Sequence, residues 1–199
     1  MEIKISAHID IDCEHFDSIS KEVKESIMCK KLNELSGMTP ANILANYPTD
    51  PSTYATDMKD ILKKMGVSVI TYDFSGLNNQ LEKNIIGAIV LNEDKLAVFV
   101  SKKLTQEEQR FVLAHELGHC CKHASSLRNQ KIELACDFDS DNQHELEAHV
   151  FADELLLPEK QFRDLCSKFS GSIDISLLSE IFCVPSICIR RRMLALDIK

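Results

Sequence analysis

The feature that most constrains this chain is the segment HELGH at positions 115–119. A spacing of four residues places the side chains of His115 and His119 one turn apart on the same face of an α-helix, close enough to share one zinc ion. Glu116 is rotated by about 100° from His115, so its carboxylate misses the ion but reaches a neighbouring water molecule. Zinc lowers the pKa of such a water towards 7, and a carboxylate beside it accepts the proton. The motif therefore predicts a hydrolytic zinc site, with Glu116 exposed to the cleft as general base.

The surrounding sequence favours a helix over a chance pair of solvent-facing histidines. The segment TQEE at 105–108 has the pattern of a capping box, in which Thr105 caps the helix and Glu108 reaches back to its start. The flanking apolar residues are those expected on buried faces: Phe111, Val112, Ala114 and Leu117. We predict a helix that runs from this capping box to about Lys122.

Zinc needs a third protein ligand, and the long motif HExxHxxGxxH does not supply it. Lys122 and Ser125 occupy the glycine and third histidine positions of that motif. His123 lies one further turn along the helix, but it has drifted about 80° from His115 and would strain a tetrahedral site. We therefore interpret His123 as solvated.

The helix predicted at about 143–156 carries the other candidates for the third ligand. At 100° per residue, Glu145 shares one face with small and apolar neighbours, namely Ala148, His149, Ala152 and Leu156. The two alanines would let this helix approach the HELGH helix closely. Glu147 lies about 160° away, on a face predicted to be solvated. This geometry prefers Glu145 as the third ligand, with Glu147 second.

The rest of the chain predicts an α+β fold, with a small mixed or antiparallel sheet packed with helices and a C-terminal helical pair. Predicted helices span about 18–35, 51–65, 105–122, 143–156, 174–182 and 186–195, and predicted strands span 67–74, 87–91 and 96–100. The second helix begins at an Asp50 N-cap followed by Pro51 and ends at Gly66. A loop containing Pro40 and Pro48 precedes it, and a polar stretch occupies 124–141.

Composition excludes several functional classes. The chain has 23 basic and 31 acidic residues, and the segment from Lys131 to Lys160 contains nine acidic residues and two lysines. Nucleic acid is therefore not expected as a partner on charge grounds. No apolar run reaches the roughly 20 residues that span a bilayer, and the N-terminal sequence lacks a signal peptide's apolar stretch. The eight cysteines form no CxxC pair, so we expect reduced thiols, a cytoplasmic protein and no membrane partner.

Two segments and the hairpin before them match a known pattern. RFVLAHELGH at 110–119 is followed by ELEAHVFADELLLP at 145–158, and GAIVLNEDKLAVFVS precedes both at 87–101. In this order the segments resemble the ImmA/IrrE family of bacterial and phage metallopeptidases. The resemblance covers roughly residues 55 to 195.

The resemblance implies a zincin-like active-site helix and a gluzincin-like zinc site of His115, His119 and Glu145, with Glu116 as general base or acid. Manganese is the alternative metal. It also implies a cytoplasmic endopeptidase that cleaves a cognate helix-turn-helix repressor, often encoded beside it on a mobile element or in a stress-response locus. We expect a strand of the hairpin to hold the substrate extended.

One residue departs from the family pattern. Where the family usually has Asn or Asp, this chain has His149, one turn from Glu145. His149 could orient a ligand, bind the metal or stabilise an oxyanion, or it could be a partly buried histidine bonded to backbone. His144, near the start of the same helix, is a second candidate oxyanion donor.

The C-terminal helices permit a different class of function. They have a helix-turn-helix rhythm, and Arg190, Arg191 and Arg192 form a basic cluster, although paired helices commonly just pack. The alternative is a non-catalytic, metal-containing regulator that binds a repressor or DNA; such a protein would have no use for Glu116. We divide the chain into an N-terminal helical extension (1–50), a zinc metallopeptidase core (51–172) and a C-terminal helix-turn-helix-like subdomain packed on the core (173–199).

Overall fold

Helices surround one small sheet in the computed structural model, which describes residues 32–74, 85–92, 95–130, 132–135, 143–169 and 172–198. The helices are α1 (Leu32–Leu35), α2 (Pro40–Asn46), α3 (Met58–Lys64), α4 (Gln106–Lys122), α5 (Ala124–Gln130), α6 (Gln143–Leu156), α7 (Glu159–Cys166), α8 (Ile175–Phe182) and α9 (Ser186–Ala195). The strands are β1 (Ser68–Tyr72), β2 (Gly87–Asn92), β3 (Lys95–Ser101) and β4 (Ile132–Ala135). The predicted α+β class is confirmed, and within these described ranges no helix is long and apolar enough to cross a membrane.

The sheet is mixed, with strand order β1-β3-β2-β4. Strands β2 and β3 form the predicted antiparallel hairpin, in which Gly87 pairs with Val100. Strand β1 runs parallel to β3, and β4 runs antiparallel to β2. Both hairpin strands are therefore flanked on both sides, and the expectation that one of them holds an extended substrate is wrong. Residues 93 and 94 of the predicted turn lie outside the described ranges.

Helix α4 is the central helix of the core. The predicted capping box is present: Thr105 Oγ1 accepts the Glu108 N–H, and Glu108 Oε2 accepts the Thr105 N–H at 2.8 Å. All residues from 111 to 121 are buried, because the sheet and α6 pack around the helix. The surrounding hydrophobic core extends from the short α1 to the C-terminal pair α8 and α9.

The predicted start of the helix at 51–65 is wrong, because the helix begins at Met58. The side chain of Asp50 accepts the Ser52 N–H at 2.8 Å and closes a turn instead of capping a helix. Asp57 provides the N-cap, since its side chain accepts the Asp60 N–H. The predicted end is confirmed, because Gly66 follows the helix with φ of +73°.

Two segments predicted as irregular contain regular structure. Pro40 occupies the first turn of α2, where its missing N–H costs nothing, and Thr39 forms a capping box with Asn42. The polar stretch 124–141 contains α5 and β4, and β4 is stabilised by pairing with β2. In the predicted helix 18–35, residues 32–35 are helical and residues 18–31 lie outside the described ranges.

The cysteines in the described part of the chain are free thiols, as predicted: Cys120, Cys121, Cys166, Cys183 and Cys188. Four of these five are buried, and burial raises the pKa of the Cys121 thiol to about 12. The four buried thiols therefore behave as small apolar residues of the core rather than as nucleophiles. Cys13, Cys29 and Cys136 lie outside the described ranges.

Candidate metal centre

Close packing of α4 on α6 builds the site. A Cβ atom at Gly118 would lie 3.2 Å from the Ala148 Cα and 3.2 Å from the Phe151 Cβ, so a side chain here would push α6 away by a few tenths of an ångström. Ala148 and Ala152, predicted to permit this approach, are fully buried. The packing brings the middle of α4 against the first two turns of α6.

Three predicted ligands meet at this contact. The Nε2 atoms of His115 and His119 are 3.0 Å apart. Glu145 Oε2 lies 3.1 Å from the His115 Nε2, and Glu145 Oε1 lies 3.5 Å from the His119 Nε2. Both histidines are buried, and the Glu145 side chain is 19% exposed, so the cluster is accessible from one side.

The spacing of these atoms fits a shared divalent cation. Ligand atoms about 2.0–2.1 Å from a tetrahedral zinc ion lie about 3.3 Å from one another, and the three measured distances span 3.0 to 3.5 Å. Two Nε2 atoms that face each other share at most one proton, so at least one presents a lone pair. Two imidazoles and one carboxylate suit zinc, and they leave a fourth position for another ligand.

Charge in the cluster also suits a cation. Burial lowers the pKa of His115 and keeps its ring neutral, which is the form that binds metals. Burial alone would raise the pKa of Glu145, but the adjacent rings of His115 and His119 outweigh it and hold that pKa far below its usual range. A neutral His115 ring therefore faces an ionised carboxylate.

Glu116 is fully buried, and the prediction that it is exposed in a cleft is wrong. Strand β2 covers this face of α4: a Cβ atom added at Gly87 would lie 2.8 Å from Glu116 Oε1 and 2.5 Å from Val112 Cγ1. The absent side chain at Gly87 thus makes room for the Glu116 carboxylate. This carboxylate is therefore enclosed between α4 and β2 and is not a surface charge.

His123 is buried at 6% exposure, so the interpretation that it is solvated is wrong. It is the C-cap of α4, with φ of −117°, so helical angle counting does not apply to it. Its Nδ1 lies 3.2 Å from the His119 Nδ1, and its Nε2 lies 3.1 Å from Glu147 Oε2. Glu147, the second candidate for the third ligand, therefore contacts His123, while Glu145 meets the two histidines of the motif.

The two further predicted histidines lie on either side of the cluster. The ring of His149 is buried 4.8 Å from the ring of His115, and burial lowers its pKa to about 4. The exposed ring of His144 stacks on that of His123 at 4.2 Å. Their predicted roles as orienting groups or oxyanion donors stay predictions.

Sequence reasoning missed a charged pair behind the site. Arg191 donates from Nε and Nη2 to the two carboxylate oxygens of Asp153 at 2.7 and 3.0 Å, and its guanidinium lies 5.1 Å from the centre of the Phe111 ring. Arg192 donates to the Leu157 carbonyl at 3.0 Å. Two arginines of the predicted basic cluster therefore tie α9 to α6 instead of forming a free basic surface.

Residues 62–193 match the family described as Peptidase_M78, IrrE N-terminal-like domain. The chain belongs to this family. The resemblance to ImmA/IrrE proteins is thereby confirmed, and the family is of the metallopeptidase type.

Two individual proteins are also similar. "Uncharacterized immunity region protein 2" of Bacillus phage phi105 is 33% identical over 79 residues, which make up 40% of this chain and 49% of the relative. The chain thus spans about half the length of this curated relative. A solved structure described as a Mycobacterium tuberculosis transcriptional regulator is 16% identical, with a TM-score of 0.52 over 77% of this chain and 44% of that one. The latter likeness shows the fold alone.

Proposed function

We propose that this chain is a zinc-dependent endopeptidase that cleaves a specific protein. The observation that carries the proposal is the convergence of His115, His119 and Glu145 beside the buried Glu116. A structural zinc site closes its fourth position with a protein ligand, whereas a catalytic site leaves it open. In the described part of the chain, the group that could hold a metal ion has three members, which suits the catalytic class.

In this proposal His115, His119 and Glu145 hold the ion. A bound zinc ion polarises a carbonyl oxygen and lowers the pKa of a nearby water molecule. Glu116 then acts as the proton carrier: its carboxylate accepts a proton from the attacking water and donates it to the leaving amine nitrogen. Its buried position beneath β2 keeps the carboxylate in one place, so that its basic oxygen is oriented before the substrate arrives.

The proposed substrate is a helix-turn-helix transcriptional repressor. The support is one relative, which is named for a phage immunity region. A peptidase with one dedicated repressor as substrate would relieve repression of the genes that this repressor controls. A cytoplasmic location follows from that substrate and belongs to the same proposal.

Glu116→Gln tests the proposal, because it keeps the size of the side chain and removes the basic oxygen. Zinc-loaded wild type and variant are incubated with helix-turn-helix repressors from the same genome, and fragments are followed by gel and mass spectrometry. The variant should bind equal zinc and cleave slower by a factor of about 10² or more. Glu154→Gln is the matched control, since Glu154 lies on the outer side of α6 with a side chain 45% exposed.

Two outcomes would contradict the proposal. If Glu116→Gln cleaves as fast as the wild type, Glu116 is not the base. If neither protein cleaves the repressor although both bind it, the chain is the non-catalytic regulator.

A further inference from the structure

We infer that His123 and Glu147 are a positioning pair that holds His119 in the tautomer and orientation in which its Nε2 faces the metal. The inference rests on the metal site of the proposed function but not on proteolysis. It assigns a task to two residues that the catalytic proposal leaves unused.

Glu147, His123 and His119 form a row of contacts. The Glu147 carboxylate at the end of this row determines the direction of each hydrogen bond. Glu147 can only accept when ionised, so His123 Nε2 carries the proton of the 3.1 Å contact between them. A neutral His123 then has its lone pair on Nδ1, which lies 3.2 Å from the His119 Nδ1. His119 must therefore donate from Nδ1, and its own lone pair is left on Nε2. That is the nitrogen 3.0 Å from the His115 Nε2, at the centre of the site.

Other contacts hold this row in place. Gln143 Nε2 donates to Glu147 Oε1 at 2.7 Å and fixes the carboxylate from its far side. The ring of His144 stacks on that of His123, with 19° between the planes.

The two histidines of the motif differ in the hydrogen bonding of their Nδ1 atoms. Among the described residues, the Nδ1 of His115 is buried without a hydrogen-bond partner, whereas that of His119 has His123. Residues that orient a metal-binding histidine typically change metal affinity about 10- to 100-fold when they are replaced. We expect that range for the pair, and a larger loss when Glu145 itself is removed.

The first test measures the tautomer directly. Long-range ¹H–¹⁵N spectra of the imidazole rings, recorded on metal-free protein at one pH, should show His119 protonated on Nδ1. In His123→Phe, which keeps a stacking ring without nitrogens, and in Glu147→Leu, this preference should disappear. His123→Asn should restore it, because an asparagine oxygen occupies the place of Nδ1 and accepts the same proton.

The second test measures zinc affinity by competition with a chelator. His123→Phe and Glu147→Leu should bind zinc about 10- to 100-fold more weakly, and His123→Asn should recover most of the loss. The matched control is Glu154→Leu, since Glu154 lies on the same helix with a side chain 45% exposed, against 42% for Glu147. Its affinity should not change.

The outcomes separate this inference from the proposed function. His119 protonated on Nε2 in the wild type, or unchanged affinity in both His123→Phe and Glu147→Leu, would overturn the positioning role. If His123→Phe fails to fold, Glu147→Leu still decides, because its side chain is half-exposed. A wild type that binds zinc tightly yet cleaves no protein would end the peptidase proposal and leave the pair intact.

Discussion

Gly87→Ala should damage both the stability and the activity of this protein, for two separate reasons. The new methyl carbon would lie 2.5 Å from Val112 Cγ1, whereas carbon atoms pack at about 3.5–4.0 Å. Valine has few rotamers and is buried here, so relief requires a backbone shift. Overpacking of this size costs about 1–3 kcal/mol of unfolding free energy.

The second reason concerns Glu116. The same methyl carbon would lie 2.8 Å from Glu116 Oε1, so the Glu116 side chain has to turn away from β2. The basic oxygen then leaves its position. Because a shift near 1 Å in a reacting group lowers rates about 10²-fold, cleavage should fall by roughly 10- to 100-fold while zinc content stays unchanged.

A double variant separates the two effects. In a Val112→Ala background the first clash is gone, so Gly87→Ala should cost much less unfolding free energy there, by urea titration of the metal-free proteins. Cleavage should stay low, because Glu116 is still displaced. Equal penalties in both backgrounds, or a fully active Gly87→Ala, would refute the packing of β2 on Val112 and Glu116.

Three further predictions follow from single contacts. His115→Ala and His119→Ala should each abolish stoichiometric zinc binding, measured by metal analysis of the folded protein, since each removes a direct ligand; retention of the ion would move the site elsewhere. Asp153→Ala should lower the unfolding free energy by about 2–3 kcal/mol in urea titration, less than the roughly 3–5 kcal/mol of a fully buried pair, because Arg191 is 27% exposed. Thr105→Ala should cost about 1 kcal/mol through loss of the N-cap, and no change would mean that the cap is not used.

Local periodicity was enough to predict that His115, His119 and Glu145 come together. The two histidines lie on one helix, and their spacing alone determines that they share a face. Glu145 was preferred over Glu147 because it shares a face with Ala148 and Ala152, and the structure brings that face against α4. Where the geometry is set within one helix, the spacing of residues correctly predicted which side chains share a face.

Residue spacing gave the wrong prediction where the geometry depends on segments that are far apart in the sequence. Strand β4 exists by pairing with β2, more than 40 residues earlier, and nothing in its polar surroundings indicated this. The burial of Glu116 depends on Gly87 in another element. His123 was misinterpreted because the helix ends at that residue, so its direction is set by Glu147 rather than by the helical repeat.

The most direct test of the central claim, an open three-ligand metal site, is X-ray absorption at the zinc edge of the zinc-loaded protein. It should show two imidazole nitrogens and one carboxylate oxygen from the protein at about 2.0–2.2 Å, with an exchangeable water completing the coordination. The spectrum should lose the carboxylate oxygen in Glu145→Ala and keep it in Glu147→Leu. A closed site with four protein ligands, or a carboxylate lost only in Glu147→Leu, would contradict this account.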